Sequence, residues 1–157
     1  AISNAHHWGI SIDDAISLME NPAAALDGEI RGLTPQLRQP MSSWSGNVTS
    51  WIQGHRFPCL LVRYEDMLAD STASFLRIAR FLDWPVDQSI AQAAANHTTF
   101  RRLQRHEADA GFPNAVAQNR RFFRRGRAGG WRDTLTAGQC GAIEKAHAGV
   151  MTRLGYE

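Results

Sequence analysis

The run Pro58-Cys59-Leu60-Leu61-Val62-Arg63-Tyr64-Glu65-Asp66 constrains the fold most, because it is short, continuously apolar, and bounded by proline and by acidic side chains. Such a run has the form of a parallel strand covered on both faces. A lone strand can neither bury itself nor satisfy its own backbone groups. The other periodic segments read as about five helices. The chain is therefore predicted to be part of an α/β fold, a parallel sheet flanked by helices, with this part mostly helical and carrying one or two strands. The remaining strands are expected in sequence outside residues 1–157. In open α/β sheets the carboxyl ends of strands face the ligand crevice, which places Tyr64, Glu65 and Asp66 where chemistry is expected. The alternative for the two carboxylates is that they cap the following turn.

Helix signals punctuate the rest of the chain. Ala1 to Trp8 reads as the inside of a helix with no capping residue before it, as if the chain begins in mid-element. Ser11-Ile12-Asp13-Asp14 has the form of a capping box with Asp in the usual Glu role, opening a helix over about 12–20 that stops before Pro22. Gly28, Gly32 and Pro35 break the pattern up to Pro40, which predicts irregular structure with one turn of helix. Ser42 or Ser43 caps a helix whose inward face is read as Trp44, Val48, Trp51 and Ile52, ending at Gly54. Asp70 or Ser71 caps the next, with Phe75, Ile78, Ala79 and Leu82 as its apolar stripe and Trp84-Pro85 closing it. A helix over about 87–95 ends near Thr98-Thr99-Phe100, two hydroxyls and an aromatic able to hydrogen-bond and stack on a base. Residues 104–119, with Gly111 and Pro113, are predicted as a surface loop. Thr136-Ala137-Gly138-Gln139 forms a second capping box, and Ile143, Ala146, Val150, Met151 and Leu154 mark the buried face of the last helix before Gly155.

The length fits one domain, and 43% hydrophobic with 20% charged residues excludes a disordered tail. The net charge of +2 hides an uneven distribution: between Arg101 and Arg132 nine arginines face only Glu107 and Asp109. Four of those arginines and three glycines fall within Phe122-Phe123-Arg124-Arg125-Gly126-Arg127-Ala128-Gly129-Gly130-Trp131-Arg132. Arginine presents a planar fork of donors suited to phosphate or sulfate, and glycine lets backbone N–H groups approach an anion. Lys145 is the only lysine and no Gly-x-x-x-x-Gly-Lys-Ser/Thr run exists, which excludes a self-contained Walker-type cradle. Cys59 and Cys140 suggest neither a metal knuckle nor a disulfide framework, and reduced thiols place the expected location in the cytoplasm. No apolar run approaches the roughly 20 residues that span a bilayer.

Read together, Arg124-Arg125-Gly126-x-x-Gly129-Gly130-Trp131-Arg132-Asp133-x-Leu135-Thr136, the earlier Tyr64-Glu65-Asp66-Met67 and the intervening Thr98-Thr99-Phe100 resemble the PAPS-dependent sulfotransferases, nearest in flavour to the soluble bacterial type. That family carries Arg-Lys-Gly-x-x-Gly-Asp-Trp-Lys-x-x-Phe-Thr near its C-terminus, Tyr-Glu-Asp after a central strand and Thr-Ser-Phe between them. The resemblance covers essentially the whole chain and implies the C-terminal portion of a P-loop-like sulfotransferase fold, so that residues 1–157 form a single partial domain.

The resemblance further implies PAPS as sulfuryl donor and PAP as product, no metal, and a small-molecule, glycan or lipid acceptor carrying a hydroxyl or amine. Arg124, Arg125 and Gly126 match the family's contacts to the donor's 3′-phosphate, with Arg125 in place of the commoner lysine. Ser3 is similar to a serine that grips the same phosphate after an Arg-Asn-Pro-x-Asp-Val-Ala-x element, of which only Ala1-Ile2-Ser3 is present. Tyr64, Thr98, Thr99 and Phe100 match positions around the adenine, and Phe122 and Phe123 match the apolar pair lining the nucleotide pocket. Gly130 stands where the family usually has Asp, a change expected to alter loop rigidity more than anion contact. The family's phosphosulfate loop and catalytic histidine are expected upstream, and none of His6, His7, His55, His97, His106 or His147 fits that histidine's context. The resemblance thus implies no catalytic residue in this chain and an isolated chain that is inactive.

A second reading is a non-catalytic module binding nucleic acid or another polyanion through the Arg101–Arg132 surface, which needs exposed aromatics for stacking. Phe122, Phe123 and Trp131 are instead expected to be buried, so no nucleic-acid partner is expected. A third is a helical structural domain that self-associates into a homo-oligomer through exposed strand edges.

Overall fold

The computed structural model describes residues 1–26, 38–53, 56–111 and 121–156. The chain forms two compact units, Ala1–Cys59 with Asp133–Glu157, and Leu60–Arg132.

The first unit holds α1 (Ile2–Trp8), α2 (Ile12–Glu20), β1 (Ala25–Leu26), β2 (Gln39–Pro40), α3 (Trp44–Ile52) and, from the end of the chain, α8 (Ala137–Arg153). As expected, α1 has no side-chain cap. The Ser11 box forms as read: Ser11 Oγ accepts from the Asp14 N–H at 3.0 Å while the Asp14 carboxylate accepts from Ser11. The Thr136 box forms likewise with Gln139, at 3.2 and 3.0 Å. Gln139 also donates to Asp13 at 2.8 Å, which ties the start of α8 to α2. α8 ends in a Schellman motif: Gly155 has φ 72, Tyr156 N–H reaches the Met151 carbonyl at 2.9 Å, and Gly155 N–H reaches Thr152 at 3.1 Å.

α2 packs on α1, α3 and α8, burying Ala5, Ala15 and Ile16. The β1–β2 pair is antiparallel, with Ala25 opposite Pro40 and Leu26 opposite Gln39. These strands answer part of the stretch read as irregular; the predicted helical turn and most of that stretch, 27–37, lie outside the described residues. The expected end of α3 at Gly54 also lies outside them, with Ile52 its last helical residue.

Two assignments in this unit are corrected. Trp51, read as inward, is 61% exposed: the face that α3 turns to its neighbours is set by packing against α2 and α8 and not by apolar spacing alone. On α8, Ala146 is exposed and the buried residue is His147, at 2%. Ser45 Oγ lies 2.8 Å from His147 Nδ1, and the Trp44 ring meets the imidazole edge-on at 5.3 Å. Burial holds the His147 pKa below the ordinary histidine value, with the Glu20 carboxylate pulling the other way.

The second unit holds α4 (Tyr64–Ala69), α5 (Ser71–Phe81), α6 (Gln88–His97) and α7 (Phe100–Ala110). Asp70 caps α5 by accepting from the Ala73 N–H at 2.8 Å, and Asp87 caps α6 by accepting from Ile90 at 2.9 Å. α5 packs on α6, where the buried residues are Ala79, Ala91 and Ala95, and the Thr72 hydroxyl donates to Gln92 Oε1 across the pair at 3.1 Å. Phe75 and Leu82, read as part of the buried stripe, are exposed, and Trp84 is 62% exposed.

The predicted strand over Pro58–Val62 does not form. Among the described residues it joins no ladder, and Pro58, Cys59 and Leu61 are exposed. The Arg77 side chain donates to the Leu61 carbonyl at 2.8 Å, occupying a group that a neighbouring strand would take. The predicted loop over 104–119 is also corrected: residues 104–110 continue α7, which ends at Gly111 with φ 72, and 112–120 lie outside the described residues.

Candidate functional site

Of the residues singled out in the sequence, most gather in the second unit, around the junction of α6 and α7 and the arginine-rich loop. Thr98 closes α6 and Thr99 precedes α7, so the Thr-Thr-Phe triplet is the corner between two helices. The Thr98 hydroxyl donates back to the Ala94 carbonyl at 2.9 Å, which leaves its oxygen as an acceptor only. Phe100 begins α7 and its ring turns towards residues 122–126.

Two contacts join segments 15 to 26 positions apart. Gly126 has φ 58, a left-handed conformation that favours glycine. A Cβ built there would overlap Cγ, Cδ2 and Cε2 of Phe100, so the loop backbone lies directly on that ring. Phe123 meets Phe100 edge-to-face at 6.4 Å and Phe122 at 5.2 Å, forming an aromatic cluster. The second contact comes from α7. Glu107 accepts from the backbone N–H of Phe122 through Oε1 and from that of Phe123 through Oε2, the latter at 3.1 Å, while Gln104 donates to the Phe123 carbonyl at 3.0 Å. Gln104 and Glu107 stand three residues apart, on one side of α7. Sequence reading missed both. Their only signal was a pair of polar side chains at helical spacing within a segment read as loop.

Beyond Phe123, Arg124 is half-buried and Arg125 exposed. A Cβ at Gly130 would meet Arg127 Nε at 3.5 Å and Arg125 Nη1 at 4.0 Å, so two guanidinium groups converge beside that glycine at ordinary contact distance. The family's aspartate would fit there, next to both cations, and glycine places no opposing charge between them. Arg132 lies 4.4 Å over the Trp131 ring, a cation–π contact. Trp131, expected to be buried, is 39% exposed and opens the short 3₁₀ turn Gly130–Asp133 with its neighbours. Phe122 and Phe123 are half-buried.

Arg101, Arg102 and Arg105 are exposed on α7, with Arg102 reaching His97 Nδ1 at 3.3 Å. Tyr64, 47% exposed, opens α4 in the same unit, behind Arg63 and with Glu65 and Asp66 in its first turn. It thus sits at a helix start and not at a strand end, and the two carboxylates take the capping-turn position favourable to the helix dipole. Ser3 belongs to the first unit, exposed on α1. No group of three or more potential metal ligands occurs among the described residues.

A family model described as a sulfotransferase domain matches residues 1–155. The chain belongs to the sulfotransferase domain family. Rat sulfotransferase 1A1 is 24% identical over 141 residues, covering 87% of this chain and 44% of the rat protein. Cytosolic sulfotransferase 12 of Arabidopsis thaliana is 27% identical over 107 residues, 65% of this chain and 32% of the plant protein. Amine sulfotransferase of the rabbit Oryctolagus cuniculus is 27% identical over 122 residues, 73% of this chain and 37% of the rabbit protein. The chain spans less than half the length of each of these relatives. No solved structure matches it. Among the described residues no helix is long and apolar enough to cross a membrane.

Proposed function

We propose that this chain holds the 3′-phosphoadenosine part of PAPS within a sulfotransferase that moves a sulfuryl group to a hydroxyl or amine. The observation that carries this reading is the seating of Gly126 on the Phe100 ring, which draws the Thr98–Phe100 triplet and the Phe122–Gly126 segment into one place. An aromatic cluster there offers a surface to a purine, and Arg124, Arg125 and the Gly126 backbone offer donors to a phosphate alongside it. A charge-assisted bond to such a phosphate is roughly twice as strong as a neutral one. Tyr64 and Ser3 enter the proposal on the resemblance alone.

In the transfer, a base removes the acceptor proton, the acceptor oxygen or nitrogen forms a bond to sulfur, and the bond from sulfur to the 5′-phosphate oxygen breaks as PAP leaves. Positioning and charge stabilisation do most of the work in a step of this kind. This chain's residues bind and orient the leaving nucleotide. No histidine in it matches the family's base, and the isolated chain is proposed to be inactive, as a C-terminal portion of the domain. A cytoplasmic location and a small-molecule, glycan or lipid acceptor are proposed with it; one relative's name is cytosolic and another's names an amine.

Competition distinguishes this reading from a general polyanion surface. PAP is expected to bind at least about tenfold more tightly than AMP, because only PAP carries the 3′-phosphate that charged donors hold. The exposed Arg101, Arg102 and Arg105 favour the alternative of a nucleic-acid surface, which would bind RNA with a steep salt dependence and treat PAP and AMP alike.

A further inference from the structure

We infer that Glu107 is a positioning residue for the arginine-rich loop, an inference that rests on reading that loop as the 3′-phosphate site. Two successive backbone N–H groups, those of Phe122 and Phe123, point at one carboxylate and occupy one oxygen each. Gln104, one turn earlier on α7, takes the carbonyl of Phe123. The backbone immediately before Arg124 is therefore held on both its donor and acceptor sides by a single helix.

This arrangement has a chemical consequence. Successive N–H groups can themselves make an anion-binding concavity, and here a protein carboxylate occupies that place. An incoming phosphate is left to the donors that follow, the guanidinium groups of Arg124 and Arg125 and the backbone at Gly126. Glu107 thereby sets where the arginine stems leave the chain. A carboxylate suits this task because both of its oxygens accept, whereas an amide of the same shape presents N–H donors to one of the two backbone donors.

The test is Glu107→Gln in the full chain, measured by calorimetry with PAP and with AMP. PAP affinity is expected to fall about tenfold while AMP affinity changes by less than about twofold, since only the donors placed by the loop lose their target. Equal weakening of both nucleotides, or unchanged PAP binding, would overturn the positioning role. A wild-type chain that does not separate PAP from AMP would instead overturn the 3′-phosphate reading on which the inference rests. Amide hydrogen exchange on the wild-type protein gives a second measurement independent of the variant's folding: protected Phe122 and Phe123 amides are expected, and rapid exchange at both would rule out the anchoring contact.

Discussion

A methyl group at residue 126 has nowhere to go. The backbone there has φ 58, and a Cβ would overlap the Phe100 ring. Forcing a non-glycine residue into such a conformation costs of order 1–3 kcal/mol before any clash is counted. Gly126→Ala is expected to displace the loop and weaken PAP binding at least about tenfold, with the circular dichroism spectrum unchanged; wild-type affinity in that variant would contradict the geometry. Arg125→Ala, by contrast, removes a donor without straining the chain and should weaken PAP by about 2 kcal/mol. Titration calorimetry reads both. His147 makes a different kind of prediction. Its pKa is lowered because burial disfavours the charged ring, so the unfolded chain binds the proton more readily. Stability is therefore full above the ordinary histidine value of about 6.5 and falls as pH drops through it towards the lower folded value. Denaturant titrations at neutral and mildly acidic pH should show that loss, and a slope of equal size in His147→Gln would refute this cause.

At the scale of elements, capping was legible and burial was not. Ser11, Ser43, Asp70 and Thr136 each accept from a backbone N–H three residues on, so the signal is complete within four residues of chain. Thr136→Ala should cost about 1 kcal/mol, and urea denaturation should detect it, since the Gln139 N–H at the start of the longest helix loses its side-chain acceptor. α7 was hidden for the opposite reason. Its residues are good helix formers, but beyond Phe100 and Leu103 they include no large apolar side chain, and they run into Gly111 and Pro113. What holds it in place is its contact with Phe122 and Phe123, far away in sequence. The unformed strand at Pro58–Val62 teaches the same lesson. β structure needs a partner, and an apolar run with no neighbouring ladder among the described residues leaves its carbonyl at Leu61 to an arginine.

Over the whole molecule, binding should appear as stabilisation. If the second unit holds PAP, a ligand concentration one hundred times the Kd should raise stability by about 2.7 kcal/mol, seen as a higher Tm with PAP and a smaller rise with AMP at the same concentration. Equal shifts would point to nonspecific anion binding.

The sequence alone determined the family, through three motifs in fixed order, and it determined most helix starts, because both depend on neighbouring residues or on the order of short segments. It proposed residues for the candidate site without their arrangement, and it passed over Gln104 and Glu107. Only the tertiary structure decided that Phe100 lies under Gly126, that Glu107 holds the loop before Arg124, and that His147 is buried where Trp51 is not. Those facts depend on side chains about 15 to 100 positions apart meeting in space, and on the face each helix turns inward once its neighbours are in place. No local pattern contains that information.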